Sequence, residues 1–154
     1  MNKNYSKNVQ EVLNVLQDEA NGNVKSALSR LTDDYSMTWV YQKKDGTFFP
    51  TTGKNIDDEL AEVYPIRNRK YIIKNIAEGE GVVMVELIES YPDPDTGVVY
   101  RTPLVLVLEI KNNKIRTGRH YCDPNLSYAN LPEAKIESLY KNQQTTPFEI
   151  NDER

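Results

Sequence analysis

Cysteine occurs once in this 154-residue chain, as Cys122, and histidine once, as His120. A lone thiol excludes an internal disulfide and any cysteine-rich zinc site. A lone imidazole with no second histidine beside it argues against a bound metal, and no cofactor motif is present. The glycines number 7 and fall in turns, so no glycine-rich loop stands ready to cradle a phosphate. No Ser–His–Asp arrangement is visible. Basic clusters are absent too: 19 Lys and Arg are scattered against 23 Asp and Glu, for a net charge of −4. That balance argues against nucleic acid or an anionic membrane as partner. Long hydrophobic runs are missing, the longest apolar block being Leu104 to Leu108, so no membrane span is expected. The polar start, Met1 to Tyr5, carries no apolar leader segment, and with the single cysteine it points to a cytoplasmic protein.

Tyrosine is abundant, at 10 residues against 3 phenylalanines and 1 tryptophan. Apolar in body and polar at its tip, tyrosine suits pocket walls and interfaces as well as a half-exposed sheet. The length suits one domain with a real core, over 1–154.

Val9, Val12, Leu13, Leu16 and Ala20 recur at helical spacing and predict an amphipathic helix from about Ser6 to Ala20. Asn21-Gly22-Asn23 breaks it, and a second helix follows with Val24, Ala27, Leu28 and Leu31 on its buried side. Tyr35 to Tyr41 reads as a strand whose odd positions, Tyr35, Met37, Trp39 and Tyr41, make a largely aromatic face. Thr47 to Pro50 reads as a short return strand. A third helix is expected from Asn55 to Tyr64, with acidic Asp57, Asp58 and Glu59 in its first turn and Pro65 closing it. The second half is β: Tyr71 to Ala77, Val82 to Tyr91, Val98 to Lys111 and Lys114 to Cys122, the last two joined by an Asn112-Asn113 turn. A short helix is expected from Pro132 to about Asn142, then a frayed polar tail from Gln143. Helices early and strands late imply an α+β fold, with helices covering one face of an antiparallel sheet.

In this order, the paired N-terminal helices, the Asp33-Asp34-Tyr35 strand start, Gly53 before a third helix, and Asn113-Lys114-Ile115 followed by Arg119-His120-Tyr121-Cys122-Asp123-Pro124 resemble the SnoaL-like branch of the nuclear transport factor 2-like superfamily. That branch includes relatives of ketosteroid isomerase and limonene epoxide hydrolase, and the resemblance covers roughly Ser6 to Ser127. It implies a cone: a curved sheet wrapped against helices, enclosing a pocket for a small hydrophobic or carbonyl-bearing molecule. It also implies a homodimer through the outer sheet face, where Val105 and Val107 lie between Arg101 and Glu109.

The same resemblance puts Asp123 at the place where catalytic relatives hold a carboxylate near the end of the last strand. A carboxylate facing an apolar cavity is desolvated and serves as an acid or base near neutral pH. Ketosteroid isomerase, one of the standard cases of pKa tuning, works this way. An Asp-Pro step is equally ordinary turn chemistry, with the carboxylate accepting a backbone N–H. Strand alternation puts Arg119 and Tyr121 on the Asp123 face and His120 and Cys122 on the other. Arg119, about 13 Å from Asp123 along the strand, would hold a carbonyl or anionic oxygen, or pair at the sheet rim. Tyr121 would donate to a developing oxyanion, or sit in the core. Tyr35, Met37 and Trp39 are expected on the pocket wall, which in a cone is continuous with plain core. Met84 and Glu86 occupy positions matching an arginine and an aspartate of limonene epoxide hydrolase. The arginine is absent, which counts against epoxide hydrolysis. The expected chemistry is proton transfer of the isomerase, cyclase or dehydratase type, with a non-catalytic ligand-binding or protein-interaction module as the alternative.

Overall fold

The computed structural model describes residues 4–54 and 65–154. Helix α1, Lys7–Ala20, begins at Ser6, whose hydroxyl accepts the backbone N–H of Val9 at 3.2 Å. It buries Val9, Val12, Leu13, Leu16 and Ala20, the stripe its spacing predicts. Gly22, at φ 68°, reverses the chain into α2, Val24–Ser29. Arg30 ties the two helices together, donating to Asp18 at 2.8 Å and to Glu11 at 2.7 Å.

Among the described residues seven strands follow: β1 Leu31–Trp39, β2 Thr52–Gly53, β3 Lys70–Gly79, β4 Val82–Pro92, β5 Val99–Lys111, β6 Lys114–Cys122 and β7 Phe148–Asn151. They form one open sheet in the order β2-β1-β6-β5-β4-β3-β7. Pairing is antiparallel except between β1 and β6, which run parallel. The sheet is therefore mixed rather than purely antiparallel. Asn112 and Asn113, at φ 52° and 58°, form a tight turn with both residues left-handed, which matches the twist of the hairpin it closes.

Three expectations change. The first strand starts at Leu31, because Leu31 is buried and pairs with Ile115. The return strand is Thr52–Gly53 rather than Thr47 to Pro50, with only a bridge between Gln42 and Phe48 before it. The C-terminal tail is not frayed: Phe148 and Ile150 join the core as β7 pairs with β3, and Arg154 donates to the carbonyls of Ala20 and Ile66. The expected third helix, Asn55 to Tyr64, lies outside the described residues.

The two sheet faces are covered differently. The inner face packs Tyr71, Ile73, Val83, Val85, Leu87, Leu104, Leu106, Leu108 and Ile115 with α1. On the outer face, helices α3 (Pro124–Tyr128) and α4 (Glu133–Glu137), with a 3-10 turn at Ser138–Tyr140, bring Leu126, Leu131, Ile136 and Tyr140 onto Ile72 and Ile88. The predicted single helix from Pro132 is thus split into α4 and a tighter terminal turn. Met84 and Tyr121 remain open, 47% and 41% exposed, beside half-buried Val105 and Val107.

Candidate functional site

One extra residue in β6 decides which side chains face inward. At the turn, Lys111 pairs with Lys114 and Ile110 with Ile115; beyond it, Glu109 pairs with Thr117. Arg116 is the unpaired residue of this bulge. Insertion of one residue swaps the faces of everything beyond it. Gly118, His120 and Cys122 therefore lie opposite Leu108, Leu106 and Leu104 on the inner face. Arg119 and Tyr121, expected to point into the cone, lie opposite Val107 and Val105 on the outer face.

The expected polar row is thus split. Arg119 pairs with Glu109 at 3.5 Å on the outer surface. Asp123 is exposed and caps α3, accepting the backbone N–H of Asn125 at 2.9 Å. It does not face an apolar cavity. Met84 and Glu86 also leave the inner face: they pair with Val107 and Val105 on the outside, where Glu86 accepts a hydrogen bond from Asn75 at 2.6 Å. Tyr35, Met37 and Trp39 do line the inner side of β1. Met37 packs over Gly118, where a Cβ would come 2.7 Å from Met37 Cε, and Trp39 pairs with His120.

The structure brings together a different set. Tyr41 stands 5.4 Å from His120 and 5.4 Å from Phe49, ring centre to ring centre, and Trp39 stands 5.9 Å from Phe49. The Tyr41 hydroxyl also reaches the Cys122 thiol. These half-buried rings form an aromatic wall that meets His120 through Tyr41. Burial lowers the His120 pKa to about 4, so its imidazole is neutral at neutral pH. Its Nδ1 is buried and has no hydrogen-bond partner among the described residues. Burial, and then the nearby Asp123 and Glu89 carboxylates, push the Cys122 thiol up to about 11, which makes it a poor nucleophile.

Behind this wall lies a charged cluster. Arg69, 3% exposed, pairs with Glu89 of β4 and with Glu19 of α1, the latter at 3.5 Å, and its guanidinium stacks 4.6 Å from the Tyr91 ring. Burial opposes the Arg69 charge, but Tyr71, Glu89 and Glu19 outweigh it and raise its pKa further. Two carboxylates share one guanidinium. Glu19, with 23% of its side chain accessible, is desolvated in this recess, and its pKa is raised although Arg69 works against the shift. The Tyr71 hydroxyl donates to Glu19. The Glu19 carboxylate is near enough to favour a proton on His120, although burial outweighs it, so the cluster and the aromatic wall belong to one region of the inner face.

None of Glu19, Arg69, Tyr71 or Glu89 was singled out from sequence, yet the two carboxylates carry a signal. Glu19 continues the apolar stripe Val12, Leu16 at helical spacing, and Glu89 continues the row Val83, Val85, Leu87. A charge on an apolar row marks a buried partner or a site. Among the described residues, no group of His, Cys, Asp or Glu is placed to hold a metal, and no helix is long and apolar enough to cross a membrane.

No protein-family model and no curated protein matches the chain in sequence. Solved structures do match its fold. A candidate SnoaL-like polyketide cyclase from Shewanella putrefaciens CN-32 superposes with TM-score 0.67 at 12% identity, over 82% of this chain and 86% of that one. A Δ5-3-ketosteroid isomerase from Mycobacterium sp. gives 0.66 at 18%, over 79% and 97%. An epoxide hydrolase from M. tuberculosis resembling limonene epoxide hydrolase gives 0.62 at 15%, over 86% and 95%. The architecture is thus the α+β cone of a helix-covered open sheet. More narrowly, it is the fold of nuclear transport factor 2-like proteins, in the form shared by SnoaL-like cyclases and ketosteroid isomerases.

Proposed function

We propose that this chain binds a small, mostly apolar molecule bearing one hydroxyl or carbonyl group on the inner face of its sheet. The observation that carries this reading is His120: a neutral imidazole with a buried Nδ1 that has no partner among the described residues, against Tyr41 of the aromatic cluster that also holds Trp39 and Phe49. In one tautomer that nitrogen accepts from a hydroxyl; in the other it donates to a carbonyl. Buried polar atoms are rarely left unpaired, so a ligand group supplying the missing bond is a natural occupant. Aromatic walls with a single polar anchor are the usual composition of small-molecule sites.

A second reading, proton transfer, is favoured by Glu19. A carboxyl with a raised pKa, held by Tyr71 and Arg69 near His120, is an acid–base group of the kind isomerases use. In this reading Glu19 takes the role first expected of Asp123. Comparison of Glu19→Gln with Asp123→Asn decides between them, since both substitutions keep shape and remove charge. An outer-face homodimer, through Met84, Val105, Val107 and Tyr121, fits the exposure of that patch, and a reducing compartment fits the free thiol.

Trp39 is the only tryptophan, so its emission reports directly on the site. Titration with 2-naphthol and 2-acetylnaphthalene should quench it saturably. His120→Asn should weaken both by about tenfold while leaving unsubstituted naphthalene little affected. Probes that bind without altering Trp39 emission, or that bind His120→Asn unchanged, would remove the basis for this assignment.

A further inference from the structure

The outer face carries a pocket unrelated to the His120 region. A bulge in β3 leaves Lys74 without a partner in β4, between the pairs Ile73 with Leu87 and Asn75 with Glu86. Lys74 and Asn75 consequently both meet groups on the outer side. Lys74 is buried there, donating to Glu137 at 2.7 Å and lying 4.6 Å from the centre of the Tyr140 ring. Asn75 donates to Glu86 at 2.6 Å and accepts from the Thr145 hydroxyl at 2.7 Å. The chain after α4 runs beside these groups and leaves an open pocket of about 330 Å³. Its wall carries four carboxamides, from Asn75, Asn142, Gln143 and Gln144, with the Glu86 carboxylate and the Tyr140 ring.

The chemistry of this wall selects its occupant. Asn75 is taken up by Glu86 and Thr145, and the Gln143 amide N–H groups by the Lys74 carbonyl and the Thr145 hydroxyl, but Asn142 and Gln144 each offer a donor and an acceptor side by side. A ligand hydroxyl does the same, so neighbouring hydroxyls on one ring can satisfy both of these carboxamides at once. An ammonium ion only donates and would leave the amide N–H groups of Asn142 and Gln144 unmatched. An anion meets Glu86. The ammonium of Lys74 is already committed to Glu137 and the Tyr140 ring, so it offers no free cation. Tyr140, with exposed Leu139 beside it, supplies an apolar surface for the C–H face of a ring. The volume is at the lower end of small-molecule sites, room for a single ring. We propose that this cavity binds a neutral, polyhydroxylated ligand of monosaccharide size. The site is on the opposite face from His120 and does not depend on the inner-face reading.

The test is a titration of ¹⁵N-labelled full-length protein with the methyl glycosides of glucose, galactose and mannose, and with putrescine and succinate as cationic and anionic comparisons. At least one glycoside should give saturable shifts confined to the Asn75 and 142–145 resonances. Asn142 and Gln144 are exposed and make no side-chain hydrogen bonds among the described residues, so Asn142→Ala with Gln144→Ala should leave the fold intact while weakening binding about tenfold. Saturable shifts of the same resonances by putrescine or succinate alone would overturn the proposal. So would the absence of shifts with all three glycosides, or unchanged affinity in the double variant.

Discussion

His120 lies directly opposite Leu106 in the β5–β6 ladder, one residue out of step with an unbroken hairpin from the Asn112-Asn113 turn. Without the Arg116 bulge, Leu106 would oppose Arg119, and a guanidinium would take the inner-face position. The bulge instead delivers an imidazole, a thiol and a glycine to that face. Gly118 lets the Met37 side chain pack against the sheet, and His120 meets Trp39 and Tyr41.

Burial of a neutral imidazole makes stability depend on pH. The folded-state pKa of His120 is about 4, against an ordinary value of 6.5. Between these values the unfolded chain binds the proton and the folded chain does not. The contribution of His120 is therefore complete above the ordinary value and is lost as pH falls toward the folded one. The slope is at most about 1.4 kcal/mol per pH unit. Urea unfolding of the wild type and of His120→Gln across this window should give a flatter profile for the variant. Parallel profiles would contradict the burial, as would an imidazole titrating near its ordinary pKa by NMR.

Arg69 holds two carboxylates from different elements, so its removal strands both. Arg69→Met keeps much of the side-chain volume but leaves Glu19 and Glu89 facing one another without a cation. Breaking a buried pair from one side costs roughly 3–5 kcal/mol. Chemical denaturation should show a loss of that order. Adding Glu89→Gln to the Arg69→Met background should recover part of it, because one of the orphaned charges is then gone. A double variant no more stable than Arg69→Met would mean that packing, rather than charge, is what Arg69 supplies.

The elements were largely legible in the sequence, and the faces of the last strand were not. The α1 stripe and the boundaries of β4, β5 and β6 follow from periodicity and turn residues, which are local properties. The face of β6 depends on where an unpaired residue is absorbed, and Lys114-Ile115-Arg116-Thr117 carries no local mark of it. Each strand alternates plausibly in either register; only the partner strand selects one. The C-terminal strand was missed for a related reason: Phe148 and Ile150 are two apolar residues in a polar stretch, and only the free edge of β3 makes them a strand. The aromatic row of β1 was legible because its alternation runs without interruption from Ser36 through Trp39.

The C-terminal strand is structural and should behave so on truncation. Removal of residues 148–154 would delete Phe148 and Ile150 from the core, the β7 pairing, and the Arg154 bonds to the carbonyls of Ala20 and Ile66. Truncating one buried isoleucine to alanine typically costs about 2–5 kcal/mol, and the missing ladder adds to it. The truncated chain should lose cooperative thermal unfolding or melt far below the full chain. Amide exchange should quicken first in Lys70 to Ile73, which would become the new sheet edge. A truncated chain as stable as the full one would show that β7 is a dispensable tail.

Arg116 separates the role of a side chain from that of a backbone position. Its side chain is exposed and pairs with exposed Asp34 at 3.0 Å, a type of surface contact that contributes little. Arg116→Ala should therefore change stability by no more than about 0.5 kcal/mol. Deletion of Arg116 is a different perturbation, because it removes the unpaired residue that sets the face of everything from Thr117 to Cys122. An unbulged strand would turn Arg119 and Tyr121 into the core and expose His120 and Cys122. Burying an unpaired guanidinium costs far more than any surface contact. The chain must then either unfold or draw a residue from the Asn112-Asn113 turn to rebuild the bulge. Thermal melts of the two variants should differ by several kcal/mol, and Trp39 emission should change in the deletion alone. A deletion as mild as the alanine substitution, with Trp39 emission unaltered, would show that the bulge does not govern which residues line the inner face.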